Sequence, residues 1–287
     1  MGVNNSLVKQ QQKPSFSVFL TSNAVKQKIN EVIGGRDGQR FMTQILSAVT
    51  NNPVLQNCEQ MSILNCAFLG ESLKLSPSPQ LGQYYMVPFE DRKNNRTVAT
   101  FQLGYKGYIQ LAIRSGYYKK INVLAIKDGE LINYDPLNEE INVNLIEDET
   151  EREKAETIGY YAMFEYTNGF RKTLYWSKSK MEVHALKYSQ GYAADKRKGT
   201  NWTFWSKDFD GMAYKTMLRQ LISKWGIMSI EMQNALESDM TMLDETGNKS
   251  YVDCINPDET ASVKSEEQSP TPIRELDPAE DIPDFLR

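Results

Sequence analysis

Apolar residues recur along this chain at two spacings, and the switch between them divides it. Phe41, Ile45, Ala48 and Val49 share a helical face behind a capping Asp37, stopped by Asn51-Asn52-Pro53. Met61, Leu64, Phe68 and Leu69 repeat that spacing after Asn57. Both segments read as scaffold helices. From Gln83 the spacing shortens: Tyr84 to Phe89 and Thr97 to Phe101 flank the polar tip Asp91 to Arg96 and predict a β-hairpin with a basic tip. Tyr105 to Ser115 returns to helical spacing and ends at Gly116, a favoured residue just past a helix. Ile121 to Ile126 and Leu131 to Tyr134, joined by Lys127-Asp128-Gly129-Glu130, predict a second hairpin. Ile158 to Tyr166 and Phe170 to Trp176, flanking Asn168-Gly169, predict a third.

Two more helices close the pattern. Ser179 with Glu182 forms a capping box ahead of Met181, His184, Ala185 and Tyr188, and Gly191 follows. The last helix, from about Asp210 to Trp225, turns Met217, Leu218, Leu221, Ile222 and Trp225 inward and stops at Gly226. The fold class expected is α+β, a small antiparallel sheet of hairpins with packed helices. Residues 1–20 read as a flexible arm, 21–75 as a helical region suited to oligomer contacts, 76–235 as the core, and 236–287 as a disordered acidic tail.

Charge supports that division. The 287 residues carry 33 Lys+Arg and 37 Asp+Glu, a formal net charge of −4. Gln233 to Arg287 holds 14 acids and 4 bases, a net −10, which leaves +6 for the rest. Arg171 to Trp225 alone holds 12 bases against 4 acids, interleaved with ten aromatic residues. Single-stranded nucleic acid calls for this combination, because cations neutralise phosphates and rings stack on unpaired bases. Tyr188 and Trp225 sit on apolar helical faces and read as core. Lys196-Arg197-Lys198 lies between Gly191 and Gly199, reads as a loop, and has no helix face to explain it. Lys215 and Arg219, four apart, project from one side of the last helix, away from its Met217/Leu221 face. Lys106 and Arg114 lie within about 80° of each other on the earlier helix. These basic loci are expected to line one groove.

Other chemistries find less support. There is no run of about 18 apolar residues and the first residues lack a hydrophobic signal core, so a soluble, cytoplasmic protein without membrane partners is expected. Three cysteines without CxxC spacing and a single histidine argue against disulfides and structural zinc. GxxxxGK[ST], a GxGxxG after a strand, HExxH and GxSxG are all missing. Asp208 and Asp210, with Glu130 and Asp135, would make a nuclease-like metal site, although both aspartates suit helix capping better. His184 reads as a core residue. Glu147 to Glu156 reads as a mobile acidic connection that marks the outside of the groove.

Three blocks carry a resemblance. Phe101-Gln102-Leu103-Gly104-Tyr105-Lys106-Gly107-Tyr108 continues into Ala112 to Gly116, Val123 to Glu130 follows, and the third runs from Ser177-Lys178-Ser179-Lys180 through Trp202, Trp205, Met212, Lys215-Thr216 and Arg219 to Ile230-Glu231. Between about Tyr84 and Ala235 the chain resembles the RecT family of phage-type single-strand annealing recombinases. The resemblance implies ATP-independent binding and annealing of single-stranded DNA, limited strand invasion, rings or filaments, a duplex intermediate, and a 5′→3′ exonuclease partner. It implies no catalytic residue and no required cofactor, with magnesium only as a modulator of DNA binding. The matched residues implied to contact DNA are Lys106, Arg114, Lys178, Lys180, Lys215 and Arg219, with Trp202 and Trp205 as ring contacts or groove walls. Lys196, Arg197, Lys198 and Lys207 join them as basic residues of the same stretch. Glu280 to Leu286 is similar to the acidic tip of bacterial single-strand binding proteins, interrupted by Asp284, which suggests a host single-strand binding protein as a partner or a tail that competes with DNA. The alternatives are the nuclease and a coating protein that binds strands without pairing them.

Overall fold

The structure, a computed structural model, describes residues 14–91, 94–243 and 249–251. The chain divides into Met1–Cys254 and Ile255–Arg287, and the second unit lies wholly outside the described residues. The expected arm at 1–13, the tail beyond residue 251 and its acidic tip therefore also lie outside them.

Four helices come first: α1 (Phe16–Thr21), α2 (Asn23–Val32), α3 (Gly35–Asn51) and, after a 3-10 turn at Pro53–Asn57, α4 (Gln60–Ser72). Phe16 and Leu20 are buried, so the last part of the expected arm is core. The predicted hairpin forms as β1 (Tyr84–Asp91) and β2 (Arg96–Leu103), and α5 (Tyr105–Ser115) ends at Gly116 in the left-handed conformation. Next come β3 (Tyr118–Lys127), β4 (Leu131–Asp135), β5 (Glu140–Val143), α6 (Glu149–Lys154), β6 (Thr157–Tyr166) and β7 (Arg171–Ser177). The chain continues through α7 (Lys178–Tyr188), α8 (Gln190–Lys198), α9 (Phe204–Lys207), α10 (Phe209–Trp225) and α11 (Ile230–Ser238), with β8 (Thr241–Leu243) and β9 (Lys249–Tyr251) last.

The sheets run β1-β2-β8-β9, β3-β6-β7 and β4-β5, with every pairing antiparallel. β6 is buried on both faces. Tyr160, Ala162, Phe164 and Tyr166 join the main core with α10, while Tyr161 and Met163 form a small second core under the β4-β5 hairpin. Period-two alternation thus separates two apolar layers within one strand.

Several sequence expectations change here. The Lys127–Glu130 turn exists but does not join a hairpin, since β3 pairs with β6 and β4 with β5. Glu130 is fully buried at that corner, where it accepts from the Lys127 N–H and pairs with Arg152 at 2.6 Å, and this redirects the chain. Burial pushes its carboxyl up, but Arg152 and two backbone N–H groups outweigh that and hold it below the usual range. The acidic connection is partly helical: Asp148 caps α6, acids fill its first turn, and Arg152 and Lys154 stand at its negative end. Ser177, not Ser179, caps α7 by accepting from Lys180 N–H. The core passes residue 235, because α11 continues to Ser238 and β8 pairs with β2 at Phe101.

Candidate nucleic-acid interface

The Gly104-Tyr105-Lys106-Gly107 turn places the first basic residue. A Cβ on Gly104 would stand 2.2 Å from the Gly82 carbonyl oxygen, and one on Gly107 2.2 Å from that of Gln83. Only glycine lets α5 begin against the backbone entering β1, and the Gly104 N–H donates to the Gln83 carbonyl at 2.8 Å. Lys106 emerges exposed from this junction, its stem beside Gly82, where the Tyr85 hydroxyl also lies. The Tyr85 ring meets Phe204 of α9 at 5.7 Å. A contact path therefore leads from Lys106 to the α8–α9 region.

That region is organised by one carboxylate. Asp195, buried in α8, accepts from Thr200 Oγ1 at 2.6 Å, the Trp202 N–H at 3.0 Å, and the Thr203 N–H, Thr203 Oγ1 and Ser206 Oγ each at 2.8 Å. Led by the Thr200 hydroxyl, these donors hold its carboxyl far below the usual range. The loop they fix presents Trp202 with 78% of its surface in solvent. Lys196-Arg197-Lys198 is not a loop but the last turn of α8, closed by Gly199 in the left-handed conformation. Cations there also suit the helix's negative end. Arg197, Lys198 and Lys207 are exposed and form no ion pair among the described residues, whereas Lys196 pairs with Glu182 at 2.8 Å. Trp205 is buried against Tyr192 and Phe209, so of its two expected roles the exposed ring contact does not hold.

A second basic and aromatic row lies along α7. The Lys180 ammonium sits 4.7 Å from the Trp176 ring centre and Lys187 4.9 Å from that of Tyr188, with the His184 ring packed at a tilt against both aromatic rings. Burial lowers the His184 pKa to about 4, reinforced by Lys187, Arg219 and Lys180. The imidazole is half-buried and neutral near pH 7, as a packing residue. Tyr188 and Lys187 belong to this row. Their signal was the spacing Lys180-His184-Tyr188, four and four. Lys178 faces Glu156 at 2.9 Å on the surface.

Two expected contacts are directed inward instead. Lys215 is buried, and its ammonium lies 2.8 Å from Asp239, which also accepts from Arg219 at 3.0 Å, the Leu103 N–H at 2.9 Å and the Tyr108 hydroxyl at 3.2 Å. The side of α10 opposite Met217 thus faces α11, β2 and α5 rather than solvent. A buried ammonium and a buried carboxylate, with a partly buried guanidinium beside them, require this degree of pairing, because an unpartnered buried charge is expensive. Arg114 donates to the Leu73 and Lys74 carbonyls at the end of α4, a helix-capping role. Trp225, expected inward, is 52% exposed.

The carboxylates of the nuclease reading are engaged separately. Asp208 caps α10, Asp210 accepts from Tyr160 Oη at 2.5 Å, Asp135 accepts from the Leu137 and Asn138 N–H groups, and Glu130 holds Arg152. Among the described residues no three His, Cys, Asp or Glu side chains gather to hold a metal ion. Among them too, no helix is long and apolar enough to cross a membrane.

The sequence match assigns the class that this α+β scaffold serves, DNA-binding proteins of recombination and single-strand annealing. The chain belongs to the RecT family, whose model matches residues 39–253. The match begins within α3 and passes β9, so it takes in Asp239 as well as the blocks quoted above. Among its relatives, an uncharacterised protein, YqaK of Bacillus subtilis (strain 168), is 38% identical over 280 residues, covering 95% of this chain and 91% of the relative. Protein RecT of Escherichia coli (strain K12) is 27% identical over 204 residues, covering 70% and 71%.

Proposed function

We propose that the chain binds single-stranded DNA without ATP and anneals it to a complementary strand, with limited strand invasion, as an oligomer or filament. The observation that carries this reading is the Trp202 loop, where one buried carboxylate fixes the backbone that bears an exposed indole, in the same stretch as Arg197, Lys198 and Lys207, which form no ion pair among the described residues. Lys106 and Lys180 extend the cationic surface. Phosphate contacts from these residues hold the backbone and leave sequence selection to base pairing, so binding is salt-dependent and indifferent to sequence. In this reading no bond is made or broken, magnesium modulates binding without being required, and the protein is no enzyme. A cytoplasmic 5′→3′ exonuclease that exposes the strand, and a host single-strand binding protein that guards it, complete the expected partners.

Complementary oligonucleotides, one carrying a fluorophore and the other a quencher, test this in buffer without ATP. Annealing several times faster than in protein-free buffer is expected. Tight binding with no gain in pairing rate would make this a coating protein, and shortened strands in magnesium would restore the nuclease reading.

A further inference from the structure

α10 starts beside the Trp202 loop and runs for 17 residues, about 25 Å at 1.5 Å per residue. A cleft of about 210 Å³ opens at its far end, between the α10 C-terminus, β7 and the turn joining β4 to β5. Its walls are fixed. The Lys172 ammonium lies 3.6 Å from the centre of the Trp225 ring and pairs with Glu139, which also accepts from the Thr173 N–H. Glu139 takes the uncommon left-handed conformation (φ 59°), so its carboxylate is held over β7 at a conformational cost. The Trp225 carbonyl accepts from Tyr166 Oη at 2.9 Å and anchors the helix end. The cleft therefore offers an indole steadied by a cation and half in solvent, the Gln220 amide, and Lys224, which is exposed and forms no ion pair among the described residues.

We infer that this cleft is a second DNA contact that takes one unstacked nucleotide, its base against Trp225 and its phosphate on Lys224. The chemistry of the walls selects this ligand. Among the described residues the one carboxylate lining the cleft is already committed to Lys172, so the remaining charge is positive and suits a phosphate. An indole whose orientation is fixed gives a base a stacking face at little entropic cost. A cleft of this size admits a single base rather than a continuous strand. This inference rests on the single-strand reading above.

Photocrosslinking of the full chain to a single strand carrying 5-bromodeoxyuridine, with crosslinked peptides identified by mass spectrometry, tests it. Crosslinks are expected in two separate peptides, one with Trp202 and one with Trp225, and Lys224→Ala should reduce only the second. Trp225→Ala should weaken binding of the unmodified strand roughly five- to a hundredfold, the range of one lost base–aromatic stack, with Trp225→Phe recovering part of it. A crosslink at Trp202 alone, with Trp225→Ala binding as the parent does, overturns the cleft and leaves the single-strand reading intact. Absence of crosslinks and of binding altogether removes both.

Discussion

Asp239 and Asp195 each organise a basic neighbourhood, with opposite results. Asp239 is fully buried and takes the Lys215 ammonium and Arg219 guanidinium for itself. Asp195, almost as buried, spends its oxygens on hydroxyl and backbone donors and leaves Arg197 and Lys198 to solvent. Both regions are rich in cations within the same +8 segment. The partner of the nearby carboxylate decides which cations tie helices together and which stay available for phosphate.

The largest effect should follow from breaking the first region. Asp239→Ala removes the carboxylate that the buried Lys215 ammonium and the partly buried Arg219 guanidinium share, and the acceptor of the Leu103 N–H and of the Tyr108 hydroxyl's bond to it. Removing one partner of a buried ion pair typically costs about 3–5 kcal/mol. Urea unfolding of the variant should show that loss. Lys215→Ala should likewise lower stability while leaving the salt slope of DNA binding by the folded fraction unchanged. A slope reduced by about 0.7, one lost single-strand phosphate contact, would instead return Lys215 to the interface.

The second region should respond in the other sense. Trp202→Ala removes an exposed ring, so the melting temperature should stay put while single-strand affinity falls by about 1–3 kcal/mol, the worth of one base–aromatic stack. Equal losses of stability and affinity would mean that the indole serves the fold after all.

What was legible in the sequence follows the same division. Asn168-Gly169 and Gly116 announced a hairpin and a helix end because their chemistry is local, and the apolar stripe of α10 was right at Met217, Leu218, Leu221 and Ile222. Asp239 stands 136 residues from the Leu103 N–H it accepts, and no window of residues shows that a tail acid closes on an early strand. The same distance misled the reading of Lys215 and Arg219, whose spacing fixed a shared side of the helix but not what covers it. Lys196-Arg197-Lys198 looked like loop because glycines bracket it. Gly191 sits inside α8, and Gly199 alone marks an end. Exposure was partly legible, since Trp202, Lys106 and Lys180 face solvent as contact residues must, while Trp205 is buried and Arg114 is engaged by the end of α4.

The smallest effect concerns the α7 row and depends on pH. The His184 pKa is lowered from 6.5 to about 4 by burial between Trp176 and Tyr188 and by the nearby charges of Lys187, Arg219 and Lys180. A histidine with a depressed folded pKa binds its proton more readily when unfolded. It therefore costs nothing above pH 6.5 and destabilises the fold progressively as pH falls from there towards about 4. His184→Gln removes that proton site and keeps a polar side chain of similar length. Melting temperatures of parent and variant should differ by a constant at pH 7 and above, then converge or cross as the pH is lowered through the window, with the variant showing the flatter acid limb. The half-exposed ring keeps the difference small. Parallel acid limbs would mean that the imidazole titrates normally and that the row is more open to solvent than its packing against Trp176 and Tyr188 indicates.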